Sequence, residues 1–162
     1  MINDITRHTD DNIGGNFKFK FTPVNNIQSI AAISNGAIHT EIKLYAGSRW
    51  YEGYATPESM NFSDQQQSSE HGAFHKKTFK GVIPKNRPEL IDLFNSMKDR
   101  RFILIVYDNN GLIRLVGNKT EPLKFTSSGD TKTKYSERNE FEFQFYGEGI
   151  DKSPFYNVDC PL

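Results

Sequence analysis

The sequence predicts a mainly β protein of the α+β class: an antiparallel β-sandwich or partly open barrel of seven to eight strands with one flanking α-helix. Three observations predict this fold. Several short segments alternate apolar and polar residues with a period of two, which is typical of strands with one buried face. Only one segment has a convincing helical pattern. Phe and Tyr favour strands, and the 162 residues include 13 Phe and 7 Tyr.

The first half of the chain contains three segments with strand character, the third at 74–83, and one polar segment. Residues 17–21 alternate Phe with Lys, and this alternation predicts a strand. Residues 39–45 alternate in the same way, and a Gly-Ser break then leads to Trp50, so the sequence predicts a hairpin here. Residues 56–72 include a run of Gln and Ser with no apolar anchor, which predicts an exposed loop.

The predicted helix runs from about Pro88 to Lys98. Proline is tolerated in a first turn, and Asn86 with Glu89 has the spacing of a capping box. The spacing of the apolar residues predicts a buried stripe on one side of this helix, formed by Leu90, Ile91, Phe94 and Met97.

The strongest strand signals follow the helix. Residues 102–107 are an unbroken apolar run, which predicts a central strand covered on both faces. The turn residues 108–111 and the apolar residues 112–116 predict an antiparallel partner for it. A short strand is predicted at 122–125, a second polar loop from residue 127, and a final alternating strand at 140–146.

Length and charge limit the possible classes of protein. The chain predicts a single β-sandwich domain, residues 1–162, with a mobile N-terminal arm at about 1–15 and a C-terminal tail at about 150–162. Twenty Lys and Arg balance twenty Asp and Glu, so no strong basic field exists to gather nucleic acid. No apolar run is long enough for a membrane span, and no secretory signal is visible.

No catalytic, cofactor or metal-binding pattern stands out. His71 and His75 would both reach one metal ion on a helix, but on a strand their Cα atoms lie about 13 Å apart. We therefore expect ordinary exposed or half-buried histidines. Cys160 is the single cysteine and has no nearby base. The sequence predicts that the protein is not an enzyme and needs no cofactor.

The second half of the chain resembles a known family. The segments that carry the resemblance are FKGVIP at 79–84, the helix, RFILIVYDNNG at 101–111, RLVG at 114–117, PL at 122–123 and FEFQFYG at 141–147. In this order they resemble small virion proteins of tailed bacteriophages, particularly tail tube proteins. The resemblance implies a β-sandwich with a flanking helix that assembles into rings, usually hexameric. Such rings stack into a tube through which DNA passes without sequence-specific binding.

The resemblance implies partners and a location. The partners are further copies of the chain and other phage tail proteins, with no membrane. The location is the virion tail, after synthesis in the bacterial host cytoplasm. The loop at 56–72, the N-terminal arm and the C-terminal tail are candidates for reaching neighbouring subunits. The candidate subunit-interface residues are Trp50, Tyr51, Tyr54, Met60, Phe62, Phe155 and Tyr156.

Glu140, Glu142 and Gln144 are candidate channel-lining residues, because an acidic or neutral wall lets a polyanion slide. A merely solvated strand face explains the same pattern. Cross-strand pairing with Lys18 and Lys20 would partly neutralise these acids.

Two alternatives to a tube subunit remain. One is a neck, tail-completion or tail-tip protein that forms a single ring in the same particle. The other is a small soluble module with an aromatic groove around Trp50, Tyr51 and Tyr54 that binds a carbohydrate or peptide.

Overall fold

A computed structural model describes residues 12–85, 87–131, 133–134 and 139–158. The predicted mainly β fold with one helix is confirmed. Asn86 and Cys160 lie outside the described residues, so the predictions made for them stay predictions. The strands are β1 Asn16–Pro23, β2 Ile27–Ser29, β3 Ala37–Ile38, β4 Lys43–Leu44, β5 Tyr51–Gly53, β6 Asn61–Ser69, β7 Gly72–Pro84, β8 Arg101–Asp108, β9 Ile113–Val116, β10 Leu123–Asp130, β11 Glu140–Gly149 and β12 Phe155–Tyr156, and helix α1 is Pro88–Met97.

The main sheet curls into a half-barrel. From one edge, its strands follow the order β6, β7, β11, β10 and β8. Beyond β8 the sheet continues with β1 and ends with β5. Strand β9 also pairs with β8 and leads on to β12 and β3. These pairings are antiparallel except for β12 with β3, which is parallel. A separate small sheet contains β2 and β4.

Strand β8 is buried on both faces, as the unbroken apolar run predicts. Phe102, Leu104 and Val106 belong to a core inside the half-barrel. Ile103 and Ile105 alternate with them and belong to a second core on the other side of the sheet. The predicted antiparallel pairing of β8 with β9 is also confirmed.

The inner core depends on phenylalanine rings that lie against glycines of the neighbouring strand. A methyl group on Gly53 would overlap the ring of Phe19, and one on Gly81 would lie 2.8 Å from the ring of Phe143. The glycines therefore leave the space that the rings occupy. The cross-strand pairs are Phe19 with Gly53, Phe143 with Gly81 and Phe141 with Gly129.

Helix α1 covers part of this core. Leu90, Phe94 and Met97 are buried, and the ring of Phe94 lies 5.3 Å from that of Phe125. Ile91 was expected on the same stripe, but its side chain is 51% exposed. The prediction for Ile91 is wrong because positions i, i+4 and i+7 already fill the buried face.

Two predicted loops are strands. Residues 61–69 form β6, and each residue has a partner on β7 from Asn61 with Lys80 to Ser69 with Gly72. Residues 127–130 continue β10 and pair with β11. The polar side chains gave no periodic apolar signal, but backbone pairing requires none.

The predicted hairpin between residues 39–45 and Trp50 is wrong. Strand β4 pairs with β2, and β5 pairs with β1. The two segments separate because Ile42 belongs to the second core, whereas Gly53 must lie opposite Phe19 in the first.

Both ends of the described chain are hydrogen-bonded to the rest of the fold, one to the turn after β8 and the other to β3. The N–H of Ile13 donates to Asn110 Oδ1 over 2.8 Å, and Asn157 donates from its backbone to Ile38 over 2.9 Å. Mobility of the arm and tail stays a prediction. No described helix has the length and apolar character needed to cross a bilayer.

Substituting Gly81→Ala should lower the free energy of unfolding by about 1–3 kcal/mol, because the new methyl group overpacks the buried ring of Phe143. Gly14→Ala is the control, since no atom lies within 4 Å of its new methyl group. The control should change stability by less than about 0.5 kcal/mol. Urea unfolding measured by circular dichroism checks both values, and equal stability of the two variants would contradict the close packing described here.

Candidate functional site

The outer face of β11 carries the three predicted channel-lining residues. Glu142 is exposed, and Glu140 and Gln144 are half-buried. The intervening Phe143 and Phe145 point into the inner core. The three polar residues therefore share one face of the sheet, as the alternation predicts.

The lysines opposite this face differ from those expected. Strand β1 pairs with β8 and β5, so Lys18 and Lys20 are not neighbours of β11, and Lys18 Nζ lies 3.4 Å from Glu52. The neighbour is β7, where Lys80 lies opposite Gln144 and Lys76 opposite Glu148. We call the outer surface of β7, β10 and β11 the polar sheet face. Its described charged residues include Glu140, Glu142 and Glu148 and, on the neighbouring strands, Lys76, Lys80 and Lys124, so its charge is nearly balanced.

The aromatic residues predicted around one groove are divided between two clefts. Trp50 is half-buried and lines a cleft beside Ile42. Tyr54 is 64% exposed and lines a different cleft between β5 and α1. Tyr51 stacks on Phe21 with ring centroids 5.8 Å apart.

The other interface candidates lie mostly inside the chain. Met60 and Tyr156 are 5% and 2% exposed, so we withdraw them from the predicted interface. Phe62 and Phe155 are half-buried on either side of Arg114, whose guanidinium lies 5.4 and 4.6 Å from their ring centroids. Both rings therefore already contact a partner, Arg114, within the chain.

An exposed apolar patch remains beside β5. Tyr54 and Leu93 of α1 line one cleft and are 64% and 44% exposed. Tyr51 is 37% exposed and stacks on Phe21 in the wall of the same cleft. We call Tyr51, Tyr54 and Leu93 the β5–α1 patch. Sequence reasoning missed Leu93, although its position off the buried stripe of the helix was visible.

Strand β6 has one free edge. Strand β7 pairs along its whole length, and in the described part of the chain no strand pairs with its other side. This β6 edge is nine residues long, whereas the edge strands β5 and β3 have only three and two residues.

A buried polar cluster joins β6, β7 and the C-terminal segment. The Oδ1 atom of Asp64 lies 2.9 Å from His75 Nδ1, and the Ser153 backbone N–H donates to Oδ2 over 2.8 Å. The side chains of Asp64 and His75 are only 7% and 9% exposed. His75 is therefore a buried, paired histidine rather than an ordinary half-exposed one.

This cluster contains the residue types of a Ser-His-Asp triad in a different arrangement. A nucleophilic serine must hydrogen-bond to its histidine base. Ser153 instead bonds to Asp64 through its backbone, and its hydroxyl is buried without a hydrogen-bond partner among the described residues. Within the same residues, no group of three or more His, Cys, Asp or Glu could hold a metal ion.

Lys77 is the second unusual group in this region. The residue is 5% exposed, and burial lowers the pKa of its ammonium below the ordinary 10.5. The carboxylates of Asp64, Glu121 and Asp151 oppose that shift in the pKa. A methyl group on Gly149 would lie 3.1 Å from Lys77 Nζ and 2.6 Å from Glu121 Oε2, so this glycine makes room for both charged groups.

Comparison with known proteins gives no relative: no family model, curated protein or solved structure matches this chain.

Asp64→Ala should lower the free energy of unfolding by about 1–3 kcal/mol, because it leaves the Ser153 amide and His75 without their acceptor. The Ser153 amide should then exchange faster with deuterium. Glu52→Ala is the control, since it breaks an exposed ion pair that contributes less than about 1 kcal/mol. Unchanged exchange at Ser153 in Asp64→Ala would contradict the anchoring role.

Lys77→Met should raise stability at neutral pH. Folding lowers the pKa of this lysine, so burying the ammonium reduces the free energy of unfolding. This loss is complete at pH values below the folded pKa and disappears above pH 10.5, where the lysine is neutral in both states. The advantage of the variant over wild type should therefore shrink as pH rises towards 10.5. Lys76→Met, on the exposed face of the same strand, is the control. Thermal unfolding across this pH range gives the measurement, and a constant difference would argue against it.

Proposed function

We propose that this protein is a structural subunit that assembles with copies of itself into rings, which stack into the tail tube of a tailed bacteriophage. The observation that carries the proposal is the β6 edge. An exposed strand edge presents unpaired backbone groups that pair readily with another chain.

The sequence of β6 leaves this edge open to pairing. Natural proteins protect free edges with lysine, proline, bulges or very short strands. Strand β6 has nine residues, and its single charged residue, Asp64, is turned inwards to His75. A second copy that adds backbone pairing here would satisfy the edge.

The contact we propose is heterologous. The β6 edge of one copy pairs with the edge of β5 in the next, since β5 pairs with β1 alone among the described strands, and the β5–α1 patch packs beside this contact. Because the two surfaces differ, each copy can contact two neighbours. Such contacts close into rings when the rotation permits. Stacked rings then form a tube.

The polar sheet face suits the lining of such a tube. Basic walls bind DNA by releasing counterions from its phosphates, which would resist movement. Here Gln144 lies opposite Lys80 and Glu148 opposite Lys76, whereas Glu142 lies opposite Val82. Lys124 of β10 adds a third cation, so the wall has little net charge. DNA would slide along it without sequence-specific contact.

The resemblance of residues 79–147 to tail tube proteins supports the placement in a phage tail. A neck, tail-completion or tail-tip protein would use the same contact to form one ring only. Electron microscopy of the purified protein separates the two, because long hollow tubes support the tube subunit and isolated rings support the alternative.

Two blocked variants test the contact. Gln66→Pro removes a backbone N–H from the β6 edge. In the antiparallel ladder that starts at Ser69, every second residue of β6 bonds to β7, and Gln66 is one of the residues between them, whose N–H points away from β7. Tyr54→Lys places a charge in the β5–α1 patch. Each variant alone should be monomeric by light scattering, and an equimolar mixture should form heterodimers, because one intact surface remains on each copy.

The controls are Gln65→Ala and Tyr45→Lys, which should assemble like wild type. Tyr45 is 51% exposed and lies outside the proposed patch. Circular dichroism must show that every variant is folded. A wild-type protein that stays monomeric at high concentration would refute the proposal. Dimers formed by Tyr54→Lys alone would indicate a symmetric contact between two β6 edges and would contradict the heterologous contact.

A further inference from the structure

A cleft of about 320 Å³ lies above Lys77. Its walls come from residues 30–33, the loop at 117–120 and the C-terminal segment at 151–154. This volume reaches the range of small-molecule sites, about 300–1,000 Å³.

The ammonium of Lys77 has unused hydrogen-bond donors. Among the described residues, no hydrogen bond or ion pair within 4 Å reaches Lys77, and its Nζ atom is not one of the fully buried polar atoms that lack a partner, so it opens onto the cleft. Two of the three nearby acids accept hydrogen bonds from backbone amides: Asp64 accepts from the Ser153 N–H over 2.8 Å, and Glu121 accepts from the Ile150 N–H over 3.2 Å. The third, Asp151, lines the cleft itself.

The rest of the cleft is aliphatic with a positive rim. Lys119 and Lys152 on the rim outnumber Asp151, and Lys119 Nζ also donates to the Gln28 carbonyl over 3.1 Å. A ligand that fits must carry an anionic group and a short hydrocarbon body. The aliphatic wall consists of Ile30, Ala31, Ala32, Ile33, Ile38, Leu115 and Pro154.

We propose that this cleft binds a small organic monocarboxylate, whose carboxylate accepts hydrogen bonds from Lys77 and whose hydrocarbon chain packs against the aliphatic wall. Gly149 borders the site, because a methyl group there would lie 3.1 Å from Lys77 Nζ and 2.6 Å from Glu121 Oε2. The site is separate from the polar sheet face and from both proposed assembly surfaces, so it does not depend on assembly.

The test compares hexanoate with hexan-1-ol, which has the same chain without the charge. Titrations followed by amide NMR should place the hexanoate shifts at residues 30–33 and 117–120. Hexan-1-ol should bind at least about tenfold more weakly, the difference expected for a charged hydrogen bond. Equal binding of the two probes, or hexanoate shifts elsewhere on wild type, would overturn the proposal.

The matched variants are Lys77→Met and Lys76→Met. The first should reduce hexanoate binding to the level of hexan-1-ol, and the second should leave it unchanged because Lys76 faces the opposite side of β7. Lys77→Arg keeps a cation and should retain part of the preference for hexanoate. If Lys77→Met binds hexanoate as tightly as wild type, Lys77 is not the carboxylate ligand.

Discussion

Packing of phenylalanine rings across the interior holds the curled sheet in shape. The Phe19 ring lies 4.9 Å from the Phe79 ring and 5.4 Å from the Phe143 ring, although β1 pairs with neither β7 nor β11. Aromatic contacts therefore join strands that no backbone hydrogen bond connects. They are possible only because glycine at the opposite positions leaves the interior open for the rings, an arrangement that also favours sheet curvature.

The same alternation divides the surface chemistry of the protein. Inward positions of β6, β7 and β11 hold the rings and, towards one end, the cluster of Asp64, His75 and Lys77. Outward positions hold the balanced polar sheet face. A single pattern of two-residue periodicity thus supplies a rigid interior, a buried charged cleft and a large polar surface. The proposed ligand site uses the cleft, and the proposed tube lining uses the polar surface.

The sequence predicted the elements whose signal is local. Alternation identified β1 and β11, an apolar run identified β8, and the helix began at Pro88 as expected. Sequence reasoning missed β6 because a polar strand has no apolar alternation of its own and forms by backbone pairing with the neighbouring strand β7. It assigned the wrong lysines to β11 because strand order is not a local property. Asp64 and Ser153 are 89 residues apart, so their contact left no sequence signal.

Strand β8 has a further consequence. Its alternate residues belong to opposite cores, so neither core can come apart without exposing half of the same strand. The two cores must therefore melt as one cooperative unit. Trp50, which packs against only the second core, then reports through its fluorescence on the loss of both.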